Sequence, residues 1–133
     1  MTVAALLLTF KTLQSGSYAN RTATAPQMIV ARDAVTTRNV WQQGVAPAID
    51  FKKQSVVFLF AGQKMTGGFS IVVKSVKRHG KDLVIDAHIE GPERGSMVTQ
   101  ALTSPFVAIA VPNVKAMRVK WVDGAQVIAE ERK

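Results

Sequence analysis

The run Ser55-Val56-Val57-Phe58-Leu59-Phe60 constrains the fold of this chain more than any other feature. It is apolar at both parities, β-branched and aromatic, and too short for a buried helix. It therefore reads as a central strand covered on both faces. Such a strand needs one layer of chain above it and another below. The remaining sequence supplies short strand-like segments for those layers: Val3–Leu13, Gln27–Arg32, Gln54–Gly62, Gly68–Arg78, Lys81–Glu90, Pro105–Val111, Ala116–Val122 and Gln126–Ala129. In Lys81–Glu90, Leu83, Ile85, Ala87 and Ile89 alternate with Asp82, Asp86, His88 and Glu90, which gives one dry face and one wet face. Val84 is the exception. Along Phe69–Val76 the apolar phase slips after Val73, and one extra residue, a bulge, restores it.

Turn chemistry fits strands. His79-Gly80 and Asp123-Gly124 predict tight hairpins, and Pro105 and Pro112 bracket one strand where a missing amide hydrogen is tolerated. One short helix is expected, capped by Asp33, turning Val40 and Trp41 to the core and ended by Gly44. Ser15–Pro26 and Gly91–Ser104 lack periodicity and read as loops, the second long enough to carry function. A length of 133 residues suits one domain. The expected architecture is mostly β: a single-domain antiparallel β-sandwich or barrel with one short helix.

Composition narrows the function. With no cysteine, a disulfide scaffold, a thiol nucleophile and a cysteine zinc site are excluded. A chain that is 47% hydrophobic and 20% charged is not a disordered one. The apolar run Val3–Phe10 is well short of the ~20 residues of a spanning helix. No basic residue precedes it and Lys11 follows it, unlike a signal peptide, so a native start at Met1 implies the cytoplasm.

Catalytic constellations are not evident. His79 stands at a hairpin tip and His88 on the wet face of a strand, both solvent positions. Gly95-Ser96-Met97 lacks the glycine of a nucleophile elbow, and Gly67-Gly68 lacks the spacing of a phosphate loop. No catalytic residue, metal or cofactor is expected. The chain does carry 17 Lys and Arg against 9 Asp and Glu, a formal charge of +8. Lys74, Lys77, Arg78 and Lys81 crowd one hairpin. They read either as a nucleic-acid or polyanion stripe or as an edge hairpin charged against strand addition. Single-strand binders also present aromatic platforms, whereas Phe58, Phe60 and Phe106 are embedded in apolar runs.

One connection stands out. Gly62-Gln63-Lys64-Met65-Thr66-Gly67-Gly68-Phe69-Ser70-Ile71 links two apolar strands and is longer than a tight hairpin requires. It reads as a glycine-shaped hairpin, either architectural or a binding tip. Together with Asp50-Phe51 and Thr99-Gln100-Ala101-Leu102-Thr103-Ser104-Pro105, this stretch resembles the PrcB C-terminal domain family over Asp50–Pro112. Phe69 stands where that family usually has tyrosine, and no lipid-attachment cysteine is visible. The resemblance implies a protease-associated subunit of bacterial origin, exported or held at the cell envelope. With no catalytic constellation in the sequence, the expected function is a non-catalytic binding module whose partner is another protein, and the resemblance implies that this partner is a protease. The residues expected to meet that partner are Gln63, Lys64, Thr66, Gly67, Gly68, Phe69, Thr103 and Pro105.

Overall fold

The computed structural model describes residues 6–19, 23–42, 44–113 and 118–132. Its centre is β4 (Gln54–Phe60), buried from Ser55 onward. This strand lies between β3 (Gln27–Ala31) and β7 (Phe106–Pro112), with β2 (Lys11–Gly16) beyond β7. All pairings in that four-stranded sheet are antiparallel. The second sheet has five strands in the order β1 (Leu6–Leu8), β5 (Ser70–His79), β6 (Asp82–Glu90), β8 (Arg118–Asp123) and β9 (Gln126–Arg132).

The two parities of β4 feed two cores. Val57 and Leu59 pack with Val107 and Ile109 against Val76, Ile85 and Trp121 of the second sheet. Val56, Phe58 and Phe60 face the opposite way, with Ala31, Phe106 and Ala108, and are covered by Val40, Trp41, Ile49 and Phe51. These last four belong to the helix α1 (Ala34–Val40) and the segment after it. The architecture is thus a two-sheet sandwich, not a closed barrel, with an outer helical layer on one sheet. Trp121 is fully buried, and its indole Nε1 donates to the Ala87 carbonyl at 2.9 Å.

Several local expectations hold. The bulge falls at Lys74, between the register pairs Val73↔Ala87 and Ser75↔Asp86. Asp33 caps α1, its Oδ1 accepting from the Thr36 amide at 2.7 Å. Both glycine hairpins form, closing on His79↔Asp82 and Asp123↔Gln126.

Other details differ, each for a physical reason. The expected strand Val3–Leu13 is two strands, because the chain changes sheet at Thr9-Phe10: β1 pairs with β5 and β2 with β7. Val3–Ala5, at the start of that strand, and Ala116 and Met117, at the start of the expected strand Ala116–Val122, lie outside the described residues. The helix stops at Trp41, not Gly44; the Trp41 backbone turns extended (ψ 132°), and its ring meets Phe58 edge-on at 6.2 Å. One pair is parallel, β6 with β8, because the intervening β7 belongs to the other sheet. Asp82 stitches that pair, accepting from Arg118 Nε and Nη2 at 3.1 and 3.0 Å, with Lys120 Nζ at 3.5 Å.

Both edges of the four-stranded sheet are blunted. β2 carries a bulge at Leu13. On β3 the outward Val30 amide donates to Glu131 Oε2 at 3.2 Å, while Glu131 Oε1 pairs with Arg32 at 2.8 Å. Such devices discourage sheet-to-sheet addition.

Two measurable outcomes rest on this packing. Trp121→Phe empties core volume and leaves the Ala87 carbonyl without its indole donor. It should cost roughly 2–4 kcal/mol, read as a lower urea midpoint at unchanged m. The Arg118 guanidinium holds the Asp82 carboxyl below its usual range. A depressed carboxylate contributes stability that is present above the unfolded value of roughly 3.9 and is lost as pH falls through the folded value. Acid titration of Asp82→Asn should therefore show a shallower loss of stability below about pH 4 than the parent.

Candidate functional site

The connection between β4 and β5 is not a hairpin. It leaves the four-stranded sheet at Phe60 and enters the five-stranded sheet at Ser70, so it bridges the two layers at one end of the sandwich. The run that precedes β7 lies beside it. Lys64 and Thr103 exchange both backbone hydrogen bonds, at 2.7 and 2.9 Å, and the Gly67 amide donates to the Thr99 carbonyl at 2.9 Å. The Thr103 hydroxyl adds a bond to the Thr66 carbonyl at 2.7 Å, and the Ala61 amide one to the Pro105 carbonyl at 3.0 Å. A third segment joins on the far side. The Ser104 amide donates to Ser17 and the Ala19 amide to Ser104, at 2.7 and 2.9 Å. The two loops singled out from sequence therefore form one lip, stapled through the main chain.

Glycine makes the close approach possible. Gly68 has φ of +87°, and a Cβ there would stand 2.7 Å from Pro92 Cβ and 3.0 Å from Val98 Cγ1. Gly62 has φ of +89°, and a Cβ there would collide with the Thr24 carbonyl oxygen. Next to Gly62, the Gln63 amide donates to the Ala23 carbonyl at 2.9 Å.

The expected contact residues divide. Gln63, Lys64, Thr66, Gly67 and Phe69 are partly exposed and Gly68 is exposed. Lys64 Nζ stands 5.4 Å from the Phe69 ring centroid. Thr103, at 3% exposure, and Pro105 are buried, so they present no surface to a partner; they hold the lip from beneath. Sequence reasoning missed the side chains that the lip exposes instead. Met65 is 79% exposed, Leu102 and Tyr18 are more than half exposed, and Met97 is fully so. Across the Lys64↔Thr103 pair, Met65 and Leu102 occupy the next opposed positions. The readable signal was large apolar residues standing singly in segments without periodicity. Below the lip an open cleft of about 210 Å³ is walled by Phe69, Ile71 and Phe106 and rimmed by Ser15, Ser17 and Ser70.

The other candidates lie elsewhere. Lys74, Lys77, Arg78 and Lys81 are all exposed, the last three around the β5–β6 turn at the far end of β5 and Lys74 at the bulge midway along it. His79 is exposed at that turn. His88 is half-exposed, with Nδ1 2.8 Å from Asp123 Oδ2. A His–Asp pair is two-thirds of a hydrolytic triad, but among the described residues no hydroxyl is hydrogen-bonded to His88.

Residues 55–112 match the PrcB C-terminal family model. No curated protein and no solved structure matches the chain. The PrcB C-terminal match runs from β4 through the crossover, β5, β6 and the 91–105 loop into β7. It therefore contains both main strands of the lip and omits the Ser17–Ala19 flank and the Ala23–Thr24 contact. The family suggests a module associated with a protease complex.

Gly68→Ala should lower stability by about 2 kcal/mol or more, since it adds both strain at positive φ and a clash. Gly67→Ala meets only Thr99, at 3.4 Å, and should cost less than about 1 kcal/mol. Thermal unfolding of the two variants tests the difference.

Proposed function

We propose that this chain is a non-catalytic protein-binding module that docks onto a protease through the lip formed by residues 63–69 and 99–104. The observation that carries the reading is the lip itself: apolar side chains exposed on main chain that is fixed by hydrogen bonds. A pre-ordered loop surface loses little entropy on binding, and exposed methionines suit an adaptable protein contact. Met65, Leu102 and Tyr18 supply the apolar centre of the contact, and Gln63, Lys64, Thr66 and Phe69 its flank. The family match supports a protease complex as the setting. Blunted edges on β2 and β3 favour docking by loops over strand addition there.

The test is capture of a protease from the native source by immobilised protein, followed by affinity measurement with the purified pair. Met65→Asp and Leu102→Asp place charge at exposed positions and should leave the melting temperature within about 2 °C. Each should weaken the contact at least about tenfold, the cost expected for a residue at the centre of an interface. Lys64→Ala should weaken it less. Variants that bind as tightly as the parent would remove the lip as the site.

A further inference from the structure

The chain's formal charge of +8 has its densest cluster at the end of the sandwich away from the lip. There Lys77, Arg78 and Lys81 are exposed, with Lys74 exposed midway along β5, and among the described residues no acid forms an ion pair with them. Asp82, the nearest carboxylate in sequence, is held by Arg118 and Lys120, and Glu130 lies 3.6 Å from Arg118. Asp86, on the same face, accepts from the Gly124 amide at 3.4 Å. Asp82 is thus taken up by Arg118 and Lys120, and among the described residues the hairpin cations keep their charge unpaired. Of these, Arg78 also ties the turn, Nε to the Gly80 carbonyl at 3.3 Å.

A second observation separates this patch from a plain polyanion stripe. The edge strand β1 pairs Leu6 with Arg78 and Leu7 with Lys77, and the two leucines are 57% and 69% exposed. Leu7 and Lys77 thus share the outer face of the sheet and Leu6 and Arg78 the opposite face, so at this end of the strand pair each cation stands beside an exposed leucine. A nucleic-acid backbone gains nothing from exposed leucine, and none of the aromatics exposed in this structure lies on β1, β5 or β6. An anionic bilayer rewards both groups at once: phosphates take the cations, and the acyl boundary takes the leucines.

We propose that the β1 edge and the β5–β6 hairpin form a docking corner for an anionic lipid surface. The ten residues of β5 span roughly 30 Å between this corner and the lip. A domain seated here holds its lip clear of the bilayer, facing the aqueous side. The inference stands on charge and register alone and does not depend on what the lip binds.

Sedimentation with phosphatidylcholine vesicles, with and without phosphatidylglycerol, tests it. Binding is expected only with phosphatidylglycerol and should fall steeply with salt. Each hairpin cation should contribute about fivefold, so Lys77→Gln with Arg78→Gln should lower partitioning at least ~20-fold. Leu6→Ser with Leu7→Ser should lower it several-fold at low and high salt alike. Because the chain has no cysteine, His79→Cys and Met65→Cys can each carry an environment-sensitive dye. The dye at position 79 should shift to the blue on anionic vesicles, and the dye at 65 should not. Leucine variants that bind vesicles as the parent does, duplex DNA retained more tightly than vesicles, or a blue shift at 65 instead of 79 would each overturn the proposal.

Discussion

The structure depends on burying β4 on both faces. A strand with no polar parity has no solvent face to offer, so it forces one layer beneath and another above. The layer beneath is the five-stranded sheet, reached through Val57 and Leu59. The layer above is α1 and the chain after it, brought in by Val56, Phe58 and Phe60. Because both neighbours of β4 are fixed in this way, its C-terminal end is a rigid origin for the crossover that builds the lip.

The lip inherits its order from that origin. Pairing between β4 and β7 continues, less regularly, past Phe60 and Phe106 into the Ala61–Pro105 and Lys64–Thr103 bonds. Thr103 and Pro105 are buried because they are the last part of the sheet, not the first part of the loop. Beyond them Gly68 lets the backbone pass against Pro92 and Val98. The same atoms that connect the two sheets thus hold Met65 and Leu102 out to solvent. The crossover and the run before β7 lie within the 55–112 family match, whereas the Tyr18 flank lies outside it.

Periodicity made much of this readable. The two-sided run at 55–60, the alternation at 83–90 and the phase slip at Lys74 each follow from one residue-level rule, and each matches the burial seen. The connections were harder to read. Whether Gly62–Ile71 reverses within one sheet or crosses to another depends on what β5 pairs with, and local sequence carries no record of that. The same ignorance merged β1 with β2, since Thr9 and Phe10 continue the apolar run while the chain changes sheet. Thr103 and Pro105 looked like loop residues because proline and threonine are common there. Their burial is a tertiary consequence of lying against Lys64 and Ala61. Tyr18 reached the lip through a bridge to Ser104, 86 positions away in sequence, which no motif announces.

The central claim is that the lip is ordered by its own hydrogen bonds before any partner arrives. Native-state amide exchange reads this directly. The Lys64, Gly67 and Thr103 amides, each bonded across the two loops, should be protected to a degree comparable with β4 itself. The amides of Met65 and Leu102, which take no part in those cross-loop bonds, should exchange much faster. Rapid exchange at all five positions would contradict the account, since it would make the lip a pair of independent mobile loops.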